Sequence, residues 1–518
     1  MTPEREGSAP SYEELTERLK RAQARILELE RMLMRQAAQD RAGQAVKREL
    51  QQGQPLLDLA EGHAPTQDQG DDEEEADESS YPTPGRKKRR AGRRKFPAHL
   101  PRTTKEYDVQ PERDLPDYDP AKGFKIIGYD TCEELRLPRP QPEVIIHKRP
   151  VVLYTTRDGE TRLATAGGMV KVFPKCAASP EVLGRIAVDR LHNHLTLYRI
   201  ERGFAELGCP VARSTLCQWM IWLGKLLQPI VRAQEREILG GFKCHADDTE
   251  MRVLAPGVSD RVRVWVLIGA DGRERVFKYT EARTSAAVRS ILGAFAGHLQ
   301  VDACGTYDVL YEDGRIIEVG CWSHVLRKFE EVLAVDSRAQ PMLRMIRELY
   351  AVEAFGEGLR AEERQVLRQL ASRPVLARIR AWVREQRGAE FLESSFKKAL
   401  NYVVNQWTAL TRFLEDGRLS IDNNVAESEF HVLGVGRRNY LFWGSREGLA
   451  SGLVLFGLIR SCVANGLDPY EYLVDVIQRV VNTETPARLL IPSRWKELPP
   501  LSEEATLTAP SVENAGTG

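Results

Sequence analysis

Apolar residues recur every seven positions near the start of the chain. Tyr12, Leu19, Ile26 and Leu33 make one seam, and Leu15, Ala22 and Leu29 make the other. About three heptads with Glu, Arg, Lys and Gln between them predict a short coiled coil within residues 1–47, used for self-association. The plainer reading of the same stripe is a single amphipathic helix packed on the body. The pattern then stops: residues 48–100 are rich in Gln, Gly, Pro and charge and read as linker. Residues 101–165 carry short strand-like runs, "EVIIHKR" and "PVVLYTTRDGETRLAT", the second with a turn at Asp158-Gly159. Over 166–240 the period becomes helical. One helix, carrying His192 and His194, runs to a break at Gly208-Cys209-Pro210, and a second follows, capped by Ser214. Helix, Gly-containing turn and helix make a helix-turn-helix outline, which any α-hairpin shares; it makes Arg213 and Ser214 candidate DNA contacts.

From residue 241 the period shortens to two. "FKCHADDTEMRVL", "RVRVWVLIGADG" and "RVFKYTEART" predict an antiparallel three-strand meander with a turn at Asp271-Gly272. A helix, "SAAVRSILGAFAGH", separates it from two further strands, "LQVDACGTY" and "RIIEVGCWSH", joined through Asp313-Gly314. Strands on both sides of a crossover helix predict an α/β layer structure over 241–435. A helical insertion interrupts it at about 335–413. Residues 436–485 read as a C-terminal helical region and 486–518 as a flexible tail.

After the helical block comes "RLSIDNNVAESEF", Arg418 to Phe430. Asn or Asp before an apolar-periodic run is ordinarily a helix cap, and Glu427, three residues after Asn424, has the spacing of a capping-box partner. Only the rest of the chain decides whether Glu427 also does chemistry.

With 518 residues, 42% hydrophobic and 29% charged, the composition is that of an ordinary soluble protein of two to four domains. No apolar run is read as approaching a membrane span, and "MTPEREGSAP" lacks the pattern of a secretory signal, so a cytoplasmic location is expected. The eight Cys show no C-x-x-C spacing, which argues against a disulfide framework or zinc ribbon. The zero net charge conceals a separation: "DDEEEADE" is followed by "RKKRRAGRRK". Such blocks stay solvated and rarely fold. The basic one, with Arg89 and Arg90, can bind phosphates by counterion release, and the acidic one can mask it.

Two acids fall in or at the end of apolar strands: Asp247 in "HADDTE" and Asp302 in "LQVDACGTY". Burying an acid there is costly unless it is paired or binds a cation. On adjacent strands the two would lie side by side, with Glu427 opening a helix against the same sheet. Oxygen donors of this kind suit hard divalent cations, and two ions about 4 Å apart can clamp the attacking and leaving oxygens of a phosphodiester. Asp248 and Glu250 remain alternatives by spacing. Strand alternation puts Asp248 on the face opposite Asp247 without saying which face meets the site.

"HADDTEMRVL", "LQVDACGTYDVL", "GCWSHVLRKF", "GRLSIDNNVAESEF", "GVGRRNYLFWGS" and "ANGLDPYEYL" stand in one order. In that order the chain resembles bacterial transposases of insertion sequence family sixty-six, over roughly residues 90–480. The resemblance implies a DDE recombinase with an RNase H-like core and a helical insertion. It makes Asp247, Asp302 and Glu427 the catalytic, metal-binding acids, holding two Mg²⁺ ions, with Mn²⁺ able to substitute. It also implies companion proteins encoded by the same element. The chain departs from the family at Asp248, where Glu is usual, at Ala303-Cys304 for Gly-Tyr, and at Ser428 and His431 for Arg. The two C-x-x-C pairs of an expected zinc module at 101–165 are missing, so zinc is not expected there. Cys321 and His324 offer only two ligands, too few for a zinc site by themselves. In related recombinases such a pair lies beside the acids and helps position DNA or a ligand carboxylate. His324 is therefore read as a donor to the scissile phosphate or as a helix cap. Arg327, Lys328, Arg437 and Arg438 are candidate backbone contacts, since guanidinium and ammonium groups bind phosphate, or else a solvated basic face. Trp322 and Trp443 are read as core.

The resulting expectation is a DNA transposase that cuts at the ends of a mobile element and joins the 3′-hydroxyls to target DNA. It would act as a homo-oligomer without a membrane, in a bacterial cytoplasm, nucleoid-associated when bound. The alternatives are a non-catalytic DNA-binding protein that kept the fold and an RNase H-like nuclease without strand transfer.

Overall fold

The computed structural model describes residues 142–501, except 158–160, 166–170, 175, 256–257 and 389–393. The coiled-coil stretch 1–47, the charge blocks with Arg89 and Arg90, most of the 101–165 module, the Asp158-Gly159 turn and the tail beyond 501 lie outside the described residues.

Period-two sequence forms the expected meander, but of "LQVDACGTY" only Leu299 and Gln300 are strand, and Gly305–Leu310 is a 3-10 helix. β3 (Lys243–Ala255), β4 (Val258–Gly269) and β5 (Arg275–Thr280) pair antiparallel as a meander. Gly272 makes the β4–β5 turn at φ 69°, a left-handed conformation open to Gly without a Cβ penalty. β6 (Gly297–Gln300) lies parallel to β3, and β7 (Ile316–Val319) parallel to β6. The sheet is therefore mixed, in the order β5-β4-β3-β6-β7. Val264, Trp265, Val266, Leu267 and Ile268 of β4 are all buried, so both faces of the sheet are covered there. The small hairpin β1 (Val151–Thr155) and β2 (Thr161–Thr165) pairs antiparallel as predicted, but "EVIIHKR" before it forms no strand. Its Val144, Ile145 and Ile146 are exposed, with nothing to pack against.

The 166–240 region holds three helices rather than two: α1 (Pro180–Leu191), α2 (Leu197–Glu206) and α3 (Arg213–Leu239). The extra break falls at His192 to Thr196, where His194 sits at φ 54°. The two His residues leave helix α1 rather than lying on it. Thr196 caps α2 by accepting from the Arg199 N–H at 3.2 Å. Ser214 does not cap α3: Ala212 holds that position and Ser214 lies inside the first turn. Leu216, Trp219, Leu223, Leu227 and Ile230 give α3 one buried stripe.

α4 (Ser285–Leu292) is the crossover helix between β5 and β6. Past β7, α5 (Trp322–Leu333), α6 (Gln340–Phe355), α7 (Ala361–Leu367), α8 (Arg373–Arg387), α9 (Ser394–Asn405) and α10 (Trp407–Thr411) build the helical block. It has its own apolar core, centred on Trp322, Phe329, Ile346 and Phe396. Arg368 is sunk among its helices. It pairs with Glu353 at 2.6 Å and donates to the carbonyls of Phe413, Asp416 and Leu419.

The chain returns to the sheet with α11 (Asn424–Tyr440), α12 (Arg446–Ala464), α13 (Pro469–Asn482) and α14 (Pro492–Trp495). The flexible tail expected from 486 does not start there: Leu490 and Ile491 are buried, and Tyr472 Oη donates to the Leu490 carbonyl. Trp443, between α11 and α12, exchanges backbone bonds with Arg252 and Leu254 at 3.0 and 2.8 Å, extending β3's pairing. The expectation that no apolar run reaches membrane length needs correction. α12 is long and apolar enough by length and composition, and 67% of its apolar window is buried inside the protein. It is apolar all round because it is a core helix, packed on β5 and α3. Trp322 and Trp443 are both core residues, as expected.

Candidate active site

Alternation along β3 places Lys243, His245 and Asp247 on one face. That face meets the segment leading into α11. Lys243 Nζ donates to Ser420 Oγ at 2.7 Å. His245 Nδ1 lies 2.8 Å from Asn423 Oδ1, and Asn423 Nδ2 donates to the Ala246 carbonyl at 2.9 Å. Asn423 is fully buried, and its own N–H points at Cys321 Sγ, 3.2 Å away. Asp422 accepts from Tyr350 Oη and the Asn424 N–H at 2.9 and 3.1 Å. These contacts fix where α11 starts.

The capping box expected between Asn424 and Glu427 does not form. Asn424 is the first helical residue, and its cap position, Asn423, spends its side chain on β3. Glu427 turns instead to α5. Its Oε1 lies 3.3 Å from His324 Nδ1, and Arg327 Nη2 donates to both its oxygens at 2.6 and 2.5 Å. Two positions on, Glu429 is rotated about 200° around the helix. It is buried and accepts from Arg275 Nε and Arg460 Nε, each at 2.6 Å. One acid therefore anchors α11 to the body while the other faces α5.

Asp302 stands two residues past the end of β6, the strand neighbouring β3. Arg283, between β5 and α4, holds it: Nη2 donates to both Asp302 oxygens at 3.2 Å. The same guanidinium's Nε lies 2.8 Å from Asp248 Oδ1. Asp248 is buried and also accepts from Arg263 at 3.2 Å. Burial lifts its carboxyl above the usual range, against the pull of Arg283 and Arg263.

Among the described residues Asp247 has no such cation. Its carboxylate accepts from the Asp248 N–H at 2.8 Å. Burial first, then the charges of Asp302, Asp248 and Glu427, push it up to about 7. Two of the acids predicted from the sequence, Asp302 beyond β6 and Glu427 on the returning helix, thus both act on the third, Asp247. Burial lowers the His324 imidazole, and the charge of Glu427 offsets this only in part. The donor set would suit hard cations, since all three acids offer carboxylate oxygens; guanidinium groups pair with two of them, Asp302 and Glu427.

The candidate DNA contacts are spread more widely. Arg327 is exposed and engaged with Glu427. Lys328 Nζ sits 4.8 Å over the Tyr402 ring. Arg437 donates to the Glu250 carbonyl at 2.8 Å, and Arg438 is exposed. Arg213 and Ser214 lie at the exposed start of α3, where the Arg213 N–H donates to Glu201 Oε1 at 2.9 Å. Glu250 lies beyond the acids on β3, paired with Arg261 at 3.1 Å.

The ordered blocks and this geometry can be set against known proteins. The profile described as "Transposase IS66 family" matches residues 175–451, over half of the chain and all three acids. The chain belongs to the IS66 transposase family. A second profile, "Transposase C of IS166 homeodomain", matches residues 41–104, which lie outside the described residues. Among curated relatives, "Uncharacterized protein y4qI" of Sinorhizobium fredii (strain NBRC 101917 / NGR234) is 30% identical over 407 residues, 75% of this chain and 74% of that protein. "Uncharacterized protein y4jD" of the same strain is 29% identical over 424 residues, 77% and 81% of the two chains. Membership of a transposase family makes DNA the chain's partner.

Sequence reading missed the supporting cast. Lys243 and His245 carry a signal in hindsight: two more polar residues in phase with Asp247 on a strand. Asn423 looked like a cap, and Arg283 in "TEARTS" was read only as a strand end.

Proposed function

We propose that this IS66-family chain is a DNA transposase that uses Asp247, Asp302 and Glu427 to cut at element ends and to join 3′-hydroxyls to target DNA. The observation that carries the reading is that Asp302, 55 residues after Asp247, and Glu427, a further 125 on, both come close enough to act on the buried Asp247 carboxyl. The mixed sheet order, with a helical block inserted before the third acid's helix, supports reading the core as RNase H-like.

Asp247, Asp302 and Glu427 would hold a pair of Mg²⁺ ions, for which Mn²⁺ can substitute. When bound, these ions supply Lewis-acid stabilisation of the attacking and leaving oxygens in an in-line displacement. The protein's share is positioning and charge. β3 and β6 set Asp247 beside Asp302. The Asn423 lock and the Glu429 anchor set the start of α11, and so set Glu427. Arg283 pairs with Asp302 and Arg327 with Glu427, and both guanidinium groups would be at hand to balance the charge of a phosphodiester bound there. Arg213, Ser214, Lys328, Arg437 and Arg438 are proposed backbone contacts, and the N-terminal heptads a self-association element that pairs two ends.

Asp302→Asn keeps the side chain's size and removes its charge. The expected outcome is loss of Mg²⁺-dependent cleavage of end-containing DNA, by a factor of a thousand or more, with end binding within about threefold of wild type. Unchanged cleavage would remove Asp302 from the site. Cleavage retained without joining of pre-cut ends would make the chain a nuclease only.

A further inference from the structure

Cys321 immediately precedes α5 and His324 lies in its first turn, and spacing offers only that pair as ligands. The fold adds Glu427 from α11. Their ligand atoms all lie within 4.8 Å of one another. His324 Nδ1 is buried and makes no hydrogen bond, although Glu427 Oε1 is 3.3 Å away. Cys321 Sγ is sealed from solvent, receives the Asn423 N–H at 3.2 Å and lies 3.0 Å from Ser323 Oγ. Burial holds the Cys321 thiol above its usual range in spite of these contacts, so its proton would leave as a metal binds.

We propose that Cys321, His324 and Glu427 form a site for one borderline-soft divalent ion of the Zn²⁺ class, and that filling it withdraws Glu427 from Asp247 and Asp302. The second half rests on the transposase reading; the first does not. One sulfur, one nitrogen and one oxygen suit tetrahedral zinc, with the fourth position left to water. Thiolate and imidazole favour Zn²⁺ over Mg²⁺, which prefers oxygen. Binding converts the Cys321 thiol to a metal thiolate, releases its proton to solvent and displaces Arg327 from the carboxylate.

The test uses the full chain, stripped of metal and free of DNA, titrated with Zn²⁺ against a chromophoric chelator. One tight equivalent is expected, weakened about tenfold or more in Cys321→Ser and in His324→Gln, each checked for folding by its melt. Excess Mg²⁺ should not displace it. Co²⁺ in its place should show thiolate charge-transfer absorption that Cys321→Ser abolishes. Zinc affinity unchanged in His324→Gln, or displacement by Mg²⁺, overturns the site. Asp302→Asn should bind Zn²⁺ like wild type, so failure of the cleavage reading leaves this result intact. In cleavage assays Zn²⁺ should suppress the Mg²⁺ reaction of wild type and spare Cys321→Ser; equal suppression overturns the withdrawal of Glu427.

Discussion

Lys243 is an ammonium group folded into the protein, 1% exposed, with Ser420 Oγ as its hydrogen-bond partner. Burial lowers it from 10.5 to about 7. Between those pH values the unfolded chain binds more protons than the folded one. Stability from this group is therefore full above 10.5, and is lost as pH falls through about 7. Urea midpoints of wild type should rise from pH 7 to 8.5 relative to those of Lys243→Met, which lacks the titrating group; parallel profiles would refute this. At this scale the sequence showed which residues carry chemistry but not what they touch. Glu427 has the spacing of a local cap, and local geometry alone would have used it so. Asn423 found better partners on β3, which released Glu427 toward α5.

At the scale of elements, the strands and their turns were legible because period two and Asp-Gly pairs are local signals. The break between α1 and α2 was not, since it contains neither Gly nor Pro. Helix α3 also hid its main role. Gly224 lies where α3 crosses α12, and a Cβ there would come within 2.5 Å of the Ser451 side chain and 2.6 Å of its backbone. Gly224→Ala should push the helices apart and cost about 1–3 kcal/mol, read as a lowered melting temperature. An unchanged melt would mean that this crossing is not tightly packed.

On the scale of the whole molecule, the two larger apolar cores among the described residues lie one around the sheet and one in the helical block, and Asp247 stands on a strand of the first while His324 and Arg327 stand on a helix of the second. The block thus supplies His324 and Arg327 to the site rather than merely lengthening the chain. The contribution to DNA binding proposed for the basic run at 86–95 belongs to this scale too, because it would act through long-range charge. Deleting it should make the dependence of log affinity on log salt shallower, since fewer counterions are released. An unaltered slope in a filter-binding or anisotropy titration would show that other residues make the phosphate contacts.

Hydrophobic periodicity, turn chemistry and the order of short blocks were enough to determine the layered α/β class, the positions of most strands and the acids worth watching. These are properties of neighbours along the chain, and the sequence contains them in full. The tertiary structure alone decided that Glu427 faces His324 and Arg327, that Arg283 bridges Asp248 and Asp302, and that Cys321 acquires a third ligand partner. Each of those contacts joins segments far apart in sequence, and its energy depends on burial and distance, which no local pattern encodes.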